Sequence, residues 1–291
     1  MIGLTPEQIG EELKGYSARL TEGMQTLRRV GEIESGVSPR DAVYQEDKLV
    51  LYRYQPRVAK PHPIPLLIVY ALVNRPYMMD IQEDRSMIRG LLEAGIDVYL
   101  IDWGYPDAGD RHLTLADYVH RYIGHCVDFL RDRSQQDAIN LLGVCQGGAL
   151  SLCFSSLYPE KIRNLVTMVT PVDFHTPDNL LTHLMRYVNV DLLVDSFGNL
   201  PGSLLNFAFL SLSPFRLAGQ KYVDLVDILD DEVALKNFLR MEKWIFDSPD
   251  QAGAAFRQFA KDFFQQNKSV SYTHLRAHET DSYLVCRLLL E

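Results

Sequence analysis

Residues 65–73, PLLIVYALV, form an unbroken apolar run. A strand reads this way when both of its faces are covered, as in a parallel sheet held between layers of helix. The stretch Asp97-Val98-Tyr99-Leu100-Ile101 has the same character, and residues 138–142 and 163–169 read as two further strands. Between them the spacing predicts helices over 80–94, ending at Gly95, over 114–133, opened by Thr114, and over 147–158. Strand and helix in alternation mean crossover connections, which place the strands parallel and the helices on both faces. Upstream, the alternation around Lys48–Tyr54 within 41–55 predicts a hairpin. Residues 5–31 read as a helix with Thr5 as N-cap and Pro6 at the first helical position.

From about residue 176 the pattern changes. Residues 178–268 are rich in Leu, Phe and Asp, read as mostly helical and contain no buried strand. They are expected to form a cap over the carboxyl edge of the sheet. The chain is thus divided into an N-terminal helix and α/β core (1–177), a helical cap region (178–268) and a tail (269–291). Within the tail, 270–280 (VSYTHLRAHET) resembles the in-frame translation of a transposase adapter used in preparing sequencing libraries. The tail is therefore expected to be foreign, and His274 and His278 are set aside as catalytic candidates. On this reading the sheet also lacks its last strands.

Composition narrows the function. Asp and Glu outnumber Lys and Arg by 38 to 29, and no basic run is visible, so a nucleic-acid partner is not expected. No apolar stretch approaches the roughly 20 residues of a membrane helix. The first residues do not read as a secretion signal. Cys126, Cys145, Cys153 and Cys286 are widely spaced, with no CxxC pair, so neither a disulfide framework nor a metal site is expected. A reducing cytoplasm is the default expectation for the compartment.

Chemistry is concentrated at Gly143-Val144-Cys145-Gln146-Gly147-Gly148, where a buried strand meets a helix. This is the G-x-nucleophile-x-G elbow with cysteine in place of serine. The turn strains the nucleophile's backbone, and the glycines two before and two after keep neighbouring Cβ atoms clear. A thiol at the start of a helix is expected to have its pKa lowered from ~8.5. The Gln146 N–H would face a developing oxyanion, and a second donor is expected from the loop Ala71-Leu72-Val73-Asn74-Arg75. The plainer reading makes Cys145 a small buried hydrophobe, as Cys126 and Cys153 are read in mid-helix.

The partners of a catalytic triad are harder to find. Acid and histidine should follow the nucleophile in the chain, and before the tail only His175 and His183 do so. Both come too early for the usual position. Asp173 reads as a cap of the next turn more than as a catalytic acid. His120 and His125, five apart, fall on different helix faces, and His62 and His112 lie in loops. The segment Asp102-Trp103-Gly104-Tyr105-Pro106 follows a strand's carboxyl end, where it could line a substrate channel or simply pack.

At these residues the chain resembles the catalytic subunit of class III polyhydroxyalkanoate synthases, of the α/β-hydrolase superfamily, over essentially residues 1–268. The resemblance rests on GVCQGG, LLIVYALVNRPYMMDIQEDRS, DVYLIDWGYPD, NLVTMVTPVDFHTPDNLL and FLRMEKWIFDSPDQAG. It implies polymerisation of (R)-3-hydroxyacyl-CoA, short-chain such as 3-hydroxybutyryl-CoA, into a polyester with release of CoA. The CoA thioester would be the substrate, and no cofactor or metal is implied. Cys145 matches the family nucleophile, and Gln146 and Val73 match the backbone donors to the oxyanion. The family's catalytic Asp and His lie beyond the point where this chain departs from the pattern and have no counterpart here, so impaired turnover is expected. Implied partners are a companion synthase subunit, a second copy in a homodimer and the surface of polyhydroxyalkanoate granules in the cytoplasm. Two other readings stand beside it: a cysteine-nucleophile hydrolase of esters or lactones, and a noncatalytic scaffold binding a granule or partner through Leu204–Leu210.

Overall fold

The structure is a computed structural model and describes residues 36–177, 179–212, 225, 228–229 and 231–271. The expected helix over 5–31, the tail from 272 onward and Cys286 lie outside the described residues.

A hairpin comes first: β1 (Arg40–Glu46) and β2 (Leu49–Tyr54) pair antiparallel across a turn in which Asp47 has φ 50°. Next come β3 (Leu66–Val69), β4 (Asp80–Gln82), β5 (Arg85–Ser86), α1 (Met87–Glu93) and β6 (Val98–Asp102). Wide π-type turns over Asp117–Ile123 run into α2 (Gly124–Ser134), followed by β7 (Ile139–Val144), α3 (Gln146–Leu157) and β8 (Ile162–Met168). The six-stranded sheet has the order β1-β2-β6-β3-β7-β8. β6, β3, β7 and β8 are mutually parallel, and β2 joins β6 antiparallel. β1 and β8 are the edge strands of the described sheet, and Val166 of β8 is 54% exposed.

The unbroken apolar run now has its physical explanation. Side chains of a strand alternate between faces, and β3 feeds a different apolar cluster from each. Leu67 and Val69 join Tyr99, Ile101, Ile123, Val127, Leu141 and Phe154 on one side. Leu66 and Ile68 join Ile88, Leu92, Val98, Leu100, Leu142 and Val144 on the other. Each large aliphatic side chain buried this way contributes roughly 1.5–3 kcal/mol, so neither face can be polar.

The helix expected over 80–94 is shorter than the spacing suggested. Asp80 is fully buried and accepts from the Ser38 N–H (2.7 Å), the Ser38 hydroxyl (2.9 Å) and the Ser86 hydroxyl. Those bonds hold residues 80–86 as the β4–β5 hairpin. The helix starts only where Ser86 caps it, its Oγ accepting from the Arg89 N–H at 2.8 Å. Thr114 does open its helix: its N–H and hydroxyl donate to the Asp117 carboxylate while its Oγ1 accepts from the Asp117 N–H.

Beyond β8 the described chain is helical. The helices are α4 (Leu180–Met185), α5 (Val190–Phe197), α6 (Gly202–Ser211), α7 (Glu232–Phe246), α8 (Gly253–Phe259) with π turns over Ala260–Gln265, and α9 (Lys268–Ser271). They meet the loops that leave the carboxyl ends of β6 and β8. Asn199 Nδ2 donates to Asp107 O (2.6 Å), and Phe174 packs against Phe259, Phe263 and Phe264. Leu204 and Leu205 of α6 pack into the cap's own apolar cluster, whereas Phe207 is 69% exposed.

Asn267 and Ser269 pin the end of this region to the segment after β8, the Ser269 hydroxyl donating to Val172 O at 2.6 Å. Asn267 Oδ1 accepts from the N–H of buried Phe174 (3.0 Å) and its Nδ2 donates to Asp173 (2.8 Å). Asn267→Ala should therefore cost about 1–3 kcal/mol, because a buried donor is left unsatisfied. Denaturant unfolding checks this, and a midpoint unchanged from wild type would contradict it.

Candidate active site

Cys145 occupies the single position between β7 and α3, with φ 55° and ψ −125°. A residue with a Cβ in that region stores about 1–3 kcal/mol of strain, which the surrounding bonds hold in place. The Cys145 N–H donates to Met168 O on β8 (2.9 Å), and its carbonyl accepts from the Gly148 N–H (2.9 Å). Close approach accounts for the flanking glycines. A Cβ on Gly143 would lie 2.5 Å from Gly148 Cα, and one on Gly147 would lie 2.2 Å from Val69 O. The helix thus enters against the end of β3 with no room for a methyl group.

The Gln146 N–H faces the cysteine sulfur and favours its thiolate, but burial is the larger influence and pushes the Cys145 thiol above the ordinary cysteine value. The expectation of a lowered pKa is thereby corrected. The helix terminus acts in the expected direction, and loss of hydration outweighs it. Among the described residues no histidine or carboxylate acts on this thiol. Alkylation by iodoacetamide should therefore be slow at neutral pH and still rising at pH ~8.5, the ordinary thiol value. Mapping the modified peptide by mass spectrometry across pH checks this, and a rate already level at neutral pH would contradict it.

The side chain of Gln146 ties the elbow to the neighbouring loop, its Oε1 accepting from the Leu72 N–H at 3.1 Å. Val73, the next residue, is partly buried against the apolar cluster that also receives Cys145, Met168 and Trp244. The structure thus brings Cys145, Gln146 and Val73 into one neighbourhood. It does not bring the histidines there. His175 bonds Phe264 O, His183 bonds Pro177 O, His120 bonds the Tyr158 hydroxyl, and His125 bonds Glu46. Asp173 accepts from the His175 N–H (2.8 Å) and so caps its turn. Trp103 packs: it is buried, donates to Tyr70 O (3.0 Å) and meets Tyr118 edge-on. Cys126 belongs to the core and Cys153 packs against it.

Sequence reasoning did not find the polar contacts that close over the Val73 loop. Trp244 Nε1 donates to Arg75 O (2.8 Å), and Asp247 accepts from Tyr105 (2.6 Å) and Tyr77 (3.1 Å). Partners some 140–170 residues apart leave no periodic trace.

A sharp strand–turn–helix with a strained residue at the carboxyl end of a central strand of a mostly parallel sheet is the arrangement of the α/β-hydrolase class. A family model described as alpha/beta hydrolase fold matches residues 64–284. Within that class, residues 13–91 match the model described as Poly-beta-hydroxybutyrate polymerase (PhaC) N-terminus. The poly(3-hydroxyalkanoate) polymerase subunit PhaC of Allochromatium vinosum is 63% identical over 268 residues, 91% of this chain and 76% of that protein. The subunit of the same name from Thiocystis violacea is 61% identical, over 91% of this chain and 75% of that protein. That from Synechocystis sp. is 57% identical, over 89% and 71% respectively. This chain belongs to the family of poly(3-hydroxyalkanoate) polymerase subunits, which are acyltransferases.

Proposed function

We propose that this chain builds polyhydroxyalkanoate by carrying the growing acyl group as a thioester on Cys145. The observation that supports the reading most is the strained Cys145 backbone, which presents the sulfur at the start of α3 with the Gln146 N–H directed at it. The substrate is an (R)-3-hydroxyacyl-CoA, short-chain such as 3-hydroxybutyryl-CoA. The Cys145 thiolate attacks the thioester carbonyl, and negative charge gathers on its oxygen. The N–H groups of Gln146 and Val73 receive that charge, and among the described residues the Val73 N–H has no other acceptor. CoA leaves as the thiolate and takes up a proton. The hydroxyl of another 3-hydroxyacyl unit then attacks the acyl-Cys145 thioester, an ester bond forms, and the Cys145 sulfur departs. Exchange between thioesters costs little free energy, so the acyl group stays activated between additions.

Two proton transfers need a base, for the thiol and for the incoming hydroxyl, and such help is typically worth about 10²–10⁴-fold. Among the described residues no histidine or carboxylate acts on the Cys145 thiol, so unassisted turnover is expected to be low. No cofactor or metal takes part in this scheme. The working assembly is a homodimer with a companion synthase subunit at the surface of cytoplasmic granules. No helix among the described residues is long and apolar enough to cross a membrane. Incubation with tritiated 3-hydroxybutyryl-CoA followed by peptide mapping tests the reading. Label should appear on the Cys145 peptide with one CoA released per label. Label elsewhere, or free 3-hydroxybutyrate with no covalent stage, would overturn it.

A further inference from the structure

The loop that follows β3 has no ladder of its own. Its backbone is held by side chains from elsewhere: Tyr70 O by Trp103, Leu72 N–H by Gln146, and Arg75 O by Trp244. The Arg75 guanidinium fastens one side of the loop to the core. It pairs with Asp102 at 2.8 Å, donates to Gly104 O at 3.0 Å and lies 4.3 Å beneath the Tyr105 ring. The other side is fastened to the cap. Beyond the Trp244 bond, Tyr77 and Tyr105 both donate to the Asp247 carboxylate, and Asn74 Nδ2 donates to Ser248 Oγ at 3.4 Å. Four cap-to-core bonds thus converge on the last turn of α7 and the two residues after it, and three of them reach Asn74, Arg75 and Tyr77, within four residues of Val73.

We propose that Trp244 and Asp247 are positioning residues that hold the Val73 loop in its reactive geometry, so that the place of α7 sets the place of an oxyanion donor. The proposal rests on the assignment of Val73 above. An oxyanion donor works only within about 2.7–3.1 Å of the charge it receives. A displacement of about 1 Å costs roughly 10²-fold. Neither residue need touch the acyl group. The carboxylate of Asp247 joins two tyrosines from loops after two different strands, so its removal frees both loops at once. Trp244 holds the one carbonyl that lies two residues beyond Val73.

The test uses the 291-residue chain and three variants: Asp247→Ala, Asp247→Asn, which keeps an acceptor, and Trp244→Phe, which keeps a ring and loses the N–H. Two quantities are read, hydrogen exchange of the 72–77 amides and the first-turnover release of CoA from 3-hydroxybutyryl-CoA. In Asp247→Ala the amides should exchange at least about tenfold faster. The saturating acylation rate should fall about 10–100-fold, with half-saturating substrate changed less than about twofold. Asp247→Asn should recover most of both, and Trp244→Phe should behave as a milder Asp247→Ala. Exchange unchanged in Asp247→Ala and Trp244→Phe would overturn the proposal outright. Faster exchange with an unchanged acylation rate would overturn the catalytic role and the Val73 assignment together, while label on Cys145 would still stand.

Discussion

Cys145→Ala should abolish covalent labelling by 3-hydroxyacyl-CoA and, with it, all polymer formed through the acyl-thioester. Loss of a nucleophile in a comparable acyl-transfer site leaves only the small rate contributed by binding and oxyanion donors. The fold should survive the change. The Cys145 backbone is held by its bonds to Met168 O and from the Gly148 N–H, neither of which involves sulfur. Alanine also carries the same Cβ into the same left-handed φ, so the strain is not increased. Circular dichroism and the melting temperature should therefore match wild type within about 2 °C, equivalent to under about 1 kcal/mol for a chain of this size. The companion measurement is CoA release. Cys145→Ala that still released CoA at the parent rate would remove the basis for the mechanism, whatever its stability.

Gly147→Ala carries the second large effect, and it acts on the fold first. A Cβ there would stand 2.2 Å from Val69 O, 2.6 Å from Tyr70 O and 2.7 Å from the Tyr70 carbonyl carbon. All three are backbone atoms of the β3 exit, so no side chain can swing aside, and relief requires α3 to back away from the sheet. Overpacking against rigid neighbours costs about 3 kcal/mol or more, which would lower the melting temperature by roughly 6 °C or more. Backing away would also carry the Gln146 N–H from the sulfur, so residual folded protein should acylate poorly. Gly90→Ala is the control. Gly90 sits within α1 with nothing within 4 Å of its would-be Cβ, and alanine there should stabilise by about 0.5–1 kcal/mol. Thermal denaturation of both variants separates a packing requirement from a general intolerance of the extra methyl group. Equal melting temperatures would remove the close-approach argument.

Much of this protein was legible without coordinates, for definite reasons. Strands covered on both faces must be apolar throughout, so β3, β6 and β7 announced themselves as PLLIVYALV, DVYLI and the run into GVCQGG. The G-x-C-x-G elbow was legible because only glycine tolerates the approach to Val69 and Ser151 that the structure displays. Thr114 could be read because capping is local, its partner being Asp117 three residues on. The start of α1 could not, because Asp80 is drawn into a hairpin by Ser38, forty-two residues earlier.

The residues alone therefore determined which strands are central, where the chain turns sharply and which sulfur stands at that turn. All of these follow from rules that act over a few neighbouring positions. Only the tertiary structure decided the two properties on which reactivity depends. Burial, a sum over many distant atoms, raised the Cys145 thiol against the pull of its helix. The contacts of Trp244 in α7 with Arg75, and of Asp247 just after it with Tyr77 and Tyr105, fastened the donor loop across some 140–170 positions of chain. Hydration and long-range hydrogen bonds have no period in the sequence, and they exist only once the chain has closed on itself.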